Sequence, residues 1–269
     1  MRADEAVPRL RDLGFGEREA QILAGHFLDA ERRGKPGHGL ARIEWLNEQK
    51  LDPGARPERL LAAEGFERWD GRGALGYLTL AEICSAQIVS PPEHARLVVA
   101  SNCFPTGMLG HWTRQLAEAG LVALVTATSP VRLAHPDGGP ALAGTNPLSI
   151  AVPSSYGQPV VADVSMGQVT YGDVIAGLAS EDELVPFGGE QAHKAFALAL
   201  GLQLLVDALA GPTGKAGRAS SGRRRRDRAL AGDGYGAVLL VARPEADPVP
   251  ALRRLAEGIR LPGDGPTEN

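Results

Sequence analysis

Residues 95–128, ARLVVASNCFPTGMLGHWTRQLAEAGLVALVTAT, decide the fold class. Two runs rich in branched residues, ARLVVAS (95–101) and LVALVTAT (121–128), read as strands. Between them GMLGHWTRQLAEAG spaces its apolar residues three and four apart and stops at Gly120, which predicts a helix. The same strand signature returns in PLSIAVP (147–153), PVVADV (159–164) and GAVLLVARP (236–244). Upstream the pattern is helical: GEREAQILAGHFLDAERR (16–33), then HGLARIEWLNEQK (38–50), then ARPERLLAAEGF (55–66) with a glycine stop at Gly65. Downstream, EQAHKAFALALGLQLLVDALAG (190–211) is apolar almost all round and is expected to be a buried helix. A Gly/Ser/Arg segment (211–234), a short helix at 249–260 and a disordered tail, PGDGPTEN, complete the chain. The expectation is an α/β protein with a helical N-terminal part.

Composition narrows the function classes. At 269 residues with 43% hydrophobic and 22% charged residues, the chain suits an ordinary globular protein with a sizeable core. No run approaches the roughly eighteen apolar residues of a spanning helix, and the charged start MRADEAVPRLRDLG is unlike a signal peptide. The expected location is therefore cytoplasmic, without a membrane partner. Two cysteines, Cys84 and Cys103, build neither a disulfide framework nor a four-cysteine metal site, and the six histidines show no metal-ligand spacing. Residues 211–230 hold seven basic residues and one acid, so the rest of the chain carries 21 basic and 31 acidic residues. That balance gives no basic field for nucleic acid; the Arg223–Arg226 run reads as a solvated loop, with polyanion binding as its alternative.

Gly71-Arg-Gly73-Ala-Leu-Gly76 matches the dinucleotide fingerprint G-x-G-x-x-G. The preceding GFERWD is short and polar, and Arg96 stands where the ribose-binding acid belongs, so a glycine loop is the preferred reading. His26 lies on the apolar face of the first helix and is expected in the core. His38 sits between two glycines at an expected helix start, with Arg42 four residues on, which places imidazole and guanidinium on one face. Such a histidine suits proton exchange near neutrality, and such an arginine can hold a carboxylate by two parallel hydrogen bonds. The pair is also common on helices for no functional reason. GGPALAGTNP (138–147) allows close backbone approach to a ligand shortly before Asp163.

Taken together, the pieces resemble the malate/L-lactate dehydrogenase family of NAD(P)-dependent oxidoreductases, which includes sulfolactate and ureidoglycolate dehydrogenases and cyclic-imine reductases. GHGLARIEWL (37–46) is similar to its Ser-His-Gly-x-x-Arg helix start. SNCFPTGMLGHWTRQLAEAG with TATSP looks like its strand–loop–helix and Thr-Asn-Ser-Pro strand end. GGPALAGTNPLSIAVP and PVVADVSMG look like its Gly-Thr-Asn-Pro and Asp-x-Ala-Thr-Ser elements. PFGGEQAHKAFALALG is similar to its Gly-Gly-x-Lys-Gly helix. The resemblance implies a mixed, largely antiparallel sheet flanked by helices, not a Rossmann fold, usually assembled as a homodimer. It divides the chain into a helical N-terminal part (1–70) packing with the C-terminal region, a cofactor-binding α/β region (71–185), and a segment (186–269) that completes the first.

By the same resemblance His38 is the proton donor and Asp163 the acid completing its relay, while Arg42 grips the substrate carboxylate. Asn102, Cys103, Phe104, Pro105 and Thr106, with Gly144, Thr145, Asn146 and Lys194, surround an NADP or NAD cofactor. The implied reaction interconverts a small 2-oxo or cyclic 2-imino acid and its 2-hydroxy or amino acid by hydride transfer. Arg114 and Arg132 are candidates for a 2′-phosphate by charge alone. The chain also departs from the pattern. Gly37 replaces the relay serine, Cys103 replaces a histidine for which His111 is a possible substitute, VSM follows the aspartate, and the loop before Pro186 is short. A catalytically impaired relative serving as a binding or scaffold subunit is therefore the alternative.

Overall fold

A computed structural model describes residues 1–212 and 234–264 of the chain. The Arg223–Arg226 run lies outside the described residues, as do the last five of the tail. In chain order the helices are α1 (Ala6–Asp12), α2 (Glu17–Arg32), α3 (Ala41–Asn47), α4 (Gly76–Val89), α5 (Leu109–Glu118), α6 (Tyr171–Ile175), α7 (Ala192–Ala210) and α8 (Val249–Leu255). The strands are β1 (Glu58–Ala63), β2 (Phe66–Asp70), β3 (Ala95–Ser101), β4 (Val122–Ala127), β5 (Leu133–Ala134), β6 (Ala141–Ala143), β7 (Leu148–Val152), β8 (Val160–Val164) and β9 (Gly236–Ala242). Seven of these form one sheet in the order β1-β2-β3-β9-β4-β7-β8, with β5 and β6 paired separately. Only β2 and β3 run parallel; every other neighbouring pair in the sheet is antiparallel.

Strand alternation divides the core between the two faces of the sheet. Val98 and Ala100 of β3, with Ala237, Leu239 and Val241 of β9, join the larger cluster, where Phe27 of α2, Ile83 of α4 and Trp112 of α5 are buried against them. Val99 and Val238 point the other way, onto Val206 of α7. Fully burying each such side chain contributes about 1.5–3 kcal/mol.

Two expectations are corrected. Residues 55–66 are not a helix: β1 and β2 form a hairpin in which Ala63 opposes Phe66, so Gly65 belongs to a two-residue turn rather than a helix stop. Leu-Leu-Ala-Ala favours a helix locally, but pairing with β2 overrides so weak a preference. The second correction concerns α7. Leu198, Leu204 and Leu205 are 53%, 60% and 45% exposed, so only one side of this helix reaches the sheet. The stretch Gly189–Ala210 is long and apolar enough to cross a membrane by composition, while Ala199, Gln203 and Val206 seat one side of it against the core.

The glycine motif is excluded as a dinucleotide loop for a different reason than its sequence suggested. β2 does precede it, α4 does follow it, and β3 runs parallel to β2. The chain itself fills the space: a Cβ at Gly71 would collide with the Asn102 carbonyl, and one at Gly76 would stand 2.7 Å from the Phe104 nitrogen. Gly76 N–H donates to the Phe104 carbonyl at 3.2 Å. Arg96 has structural partners: its Nη1 lies 3.4 Å from Glu67, which is 3% exposed and also accepts from Trp69 Nε1 (2.9 Å) and Gln87 Nε2 (3.0 Å).

Candidate active site

A cavity of about 290 Å³ opens where the start of α3, the loop before α5, the ends of β4 and β8, and α6 meet. His38 reaches it from a 3₁₀ turn, Pro36–His38, and not from the first turn of the helix; Gly39, at φ −90° and ψ −148°, separates the turn from α3. Glu31 Oε1 accepts from Leu40 N–H at 2.8 Å and so anchors this junction to α2. His38 and Arg42 do face one cavity, as their spacing predicted, although no continuous helix joins them.

Arg42 is 6% exposed. Its guanidinium carbon sits 3.9 Å from the centroid of the Trp45 ring, and its Nε is buried with no hydrogen-bond partner among the described residues. An unpaired charged donor in such a place is costly until an anion meets it. His38 feels the same surroundings. Burial, then the Arg42 charge, pull its pKa from 6.5 to about 4, with Lys35 adding to the pull and Asp173 opposing it. In the free protein the ring is neutral at pH 7.

Asp163, near the end of β8, lines the same cavity. Burial raises its pKa, against the Gly110 N–H hydrogen bond and the charges of Lys35 and Arg114. Its Oδ2 accepts from Gly110 N–H at 2.9 Å, at the start of α5. A Cβ on Gly110 would lie 2.9 Å from that oxygen, so the close approach requires glycine there. No hydrogen bond links Asp163 to His38 among the described residues.

The other candidates divide between wall and support. Phe104, Pro105, Thr106 and Thr145 line the cavity. The loop of the first three is held by Met108 N–H donating to His26 Nε2 (3.0 Å) and by Trp112 Nε1 donating to the Thr106 carbonyl (2.9 Å). His26 is fully buried, as its place on the helix predicted. Asn146 lies behind the wall, where its Nδ2 donates to the Ala199 carbonyl (2.9 Å) and its Oδ1 accepts from Ser129 N–H (3.1 Å), tying α7 to the sheet. Asn102, at φ +52°, donates to Asp70 at 2.8 Å. A Cβ at Gly144 would collide with Ser129. Cys103 is buried, and burial pushes its thiol up to about 12. Lys194 stands exposed at the start of α7, outside the lining. His111 also stays outside, with its Nδ1 2.9 Å from Asp29 Oδ2. Arg114 bonds the Gly110 and Gly263 carbonyls, and Arg132 stacks 3.7 Å from the Tyr171 ring.

Among the lining residues that the sequence did not single out are Lys35, Tyr77 and Asp173. For Asp173 a signal did exist. Thr170-x-x-Asp173 is a capping box, with Thr170 accepting from Asp173 N–H and Asp173 from Thr170 N–H.

Comparison with known proteins gives a consistent result. Residues 4–178 match the family described as malate/L-lactate dehydrogenase. A (2R)-3-sulfolactate dehydrogenase (NADP(+)) from Chromohalobacter salexigens is 32% identical over 177 residues, 63% of this chain and 52% of its own. A Delta(1)-pyrroline-2-carboxylate/Delta(1)-piperideine-2-carboxylate reductase from Pseudomonas putida is 28% identical over 229 residues, 74% of this chain and 66% of its own. The matched part thus spans between half and two thirds of these relatives. Among solved structures, a dehydrogenase from Sinorhizobium meliloti superposes with a TM-score of 0.81 at 25% identity, covering 98% of this chain and 88% of that one. The delta1-piperideine-2-carboxylate reductase from Pseudomonas syringae gives 0.80 at 23% identity, covering 97% and 89%, and supports the fold.

Proposed function

The chain belongs to the malate/L-lactate dehydrogenase family, and from that premise we propose that it is an NAD(P)-dependent reductase or dehydrogenase of small 2-oxo, 2-hydroxy or cyclic 2-imino carboxylates. One observation carries the reading: His38, Arg42 and Asp163 line a single cavity in which the Arg42 Nε has no partner among the described residues. A buried guanidinium of this kind is matched in charge and geometry by a carboxylate. The relatives' names point the same way, to a sulfolactate and to two cyclic imino acids.

Arg42 would hold the substrate carboxylate and thereby fix the neighbouring carbon, turning binding into orientation. The wall of Phe104, Pro105, Thr106 and Thr145 offers flat apolar surface with hydroxyl groups, which suits a nicotinamide ring. Bound there, the cofactor supplies or accepts the hydride. His38 gives the proton to the substrate oxygen or nitrogen. Its low pKa has a use here. A carboxylate paired with Arg42 cancels the second-largest influence holding the ring neutral, so substrate binding favours proton uptake by His38.

Oxidation of NADPH and NADH should be followed with pyruvate, oxaloacetate, longer 2-oxo acids and the five- and six-membered cyclic imino acids. Turnover is expected on at least one, and His38→Ala should lower it by about 10²–10⁴-fold. Unchanged turnover in that variant would overturn the assignment. Proton uptake can be tested without turnover, by calorimetry of oxamate binding in two buffers of different ionisation heat. Uptake below pH 7 that disappears in His38→Gln is the expected result.

A second reading, a non-catalytic relative, is favoured by Gly37, which offers no relay side chain, and by the exposed Lys194. A fluorescence titration separates the two, because a scaffold has no need to bind NADPH or NADH. We also propose a homodimer, supported by the open apolar side of α7.

A further inference from the structure

The 3₁₀ turn that carries His38 packs main chain to main chain against α6. A Cβ on Gly172 would run into the Gly37 carbonyl, and a Cβ on Gly37 would run into Asp173 Oδ1, with Asp173 N at 2.7 Å. The missing side chain at position 37 is therefore not an empty place, because the Asp173 carboxylate occupies it. That carboxylate is fixed: Oδ2 accepts from both Thr170 N–H and Thr170 Oγ1–H at 2.8 Å, which leaves Oδ1 toward Gly37. Asp173 and His38 line the same cavity.

Resting on the reading of His38 as proton donor, we propose that Asp173 is its positioning carboxylate in this chain, standing where a side chain at position 37 would otherwise stand and stabilising the imidazolium. The charges about His38 leave few alternatives. Arg42 from α3 and Lys35 from the preceding turn both oppose protonation, and Asp173 from α6 is the group that favours it. His26, from α2, is neutral, since burial holds its pKa well below 6.5. Asp163 is engaged with Gly110 N–H and answers to Lys35 and Arg114. The arrangement thus exchanges a relay from β8 for a carboxylate on α6, and it requires glycine at both 37 and 172.

The test is the titration of the His38 ring in histidine-labelled protein by nuclear magnetic resonance, with the signal assigned by its loss in His38→Ala. Asp173→Asn keeps an acceptor for Thr170 and removes the charge. It should lower the His38 midpoint by about one unit, so that tenfold less imidazolium is present at a given pH above it. Gly37→Ala, which presses on the α6 main chain as well as the carboxylate and leaves Asp173 in the chain, should move the midpoint the same way. Thr170→Val removes the hydroxyl donor and keeps the charge, so its midpoint should stay at the wild-type value.

Coincident curves for Asp173→Asn and wild type would overturn the proposal. So would a shift in Thr170→Val equal to that in Asp173→Asn, or a larger shift in Asp163→Asn. No turnover is needed for this readout, so an inactive protein would defeat the enzymatic reading and leave the role of Asp173 tested. In an active protein, Asp173→Asn should lower kcat for reduction about tenfold on the limb where rate falls with rising pH, with KM nearly unchanged.

Discussion

Gly110 sets Asp163 by having no side chain, as Gly37 sets Asp173. A methyl on Gly110 would press on both Oδ2 and Cβ of Asp163, at 2.9 and 3.1 Å. Gly110→Ala should therefore cost about 1–3 kcal/mol as overpacking, read as a lower urea midpoint, and should displace the carboxylate as well. Cys84 and Cys103 behave oppositely to reactive thiols. Burial raises both to about 12, so a thiol reagent at pH 8 should label them at the rate the protein opens and no faster. At this scale the sequence singled out His38, Arg42 and Asp163, and all three line one cavity. For Asp173 it offered the capping box with Thr170 but not its place in the cavity, which depends on a contact with a distant glycine. The expected helix-start histidine also failed: Gly39 breaks the chain there, and burial with Arg42 sets the ring's basicity instead.

The elements were legible where branched residues are bounded by Pro and Gly. β3 matches residues 95–101 and β8 falls within 159–164. α4 went unread because GYLTLAEICSAQIV is buried on most sides, so no amphipathic stripe marks it. β1 and β2 went unread because their pairing is justified by a tertiary network, not by local preference. Glu67 joins Trp69 on β2, Gln87 on α4 and Arg96 on β3. Glu67→Ala would leave Arg96, 8% exposed, as an uncompensated buried charge. The expected loss is about 3–5 kcal/mol in chemical denaturation, well beyond that of a surface carboxylate. Gln87→Leu should couple to it in a double-mutant cycle, since both side chains share the Arg96 guanidinium.

Across the whole molecule, acid should weaken the fold early. His26 and His38 are neutral bases with folded pKa values below 6.5, the first held well below it and the second about 4. The unfolded chain therefore binds protons before the folded one does. Stability from these two groups is complete above pH 6.5 and is lost as pH falls toward 4. Urea midpoints should decline across that window, and His38→Gln should flatten part of the slope. Assembly belongs to this scale too. The exposed side of α7 carries Leu198, Leu204 and Leu205, and Leu240 of β9 is itself 43% exposed. Light scattering should give twice the 28.2 kDa chain mass, and Leu204→Glu should shift the particle toward one chain.

The position of β9 has a further consequence, for the order in which the protein can be made. This strand stands between β3 and β4, yet it is translated more than a hundred residues after either. Until residue 242 leaves the ribosome, β3 and β4 each present an unpaired hydrogen-bonding edge, and apolar residues meant for the centre of the sheet stay in water. The family match ends at residue 178, before this strand begins. The part that matches the family model is therefore not a folding module by itself. A chain cut after residue 212 should accumulate as insoluble protein, whereas one supplied with residues 234–264 as a separate peptide should be recoverable by complementation.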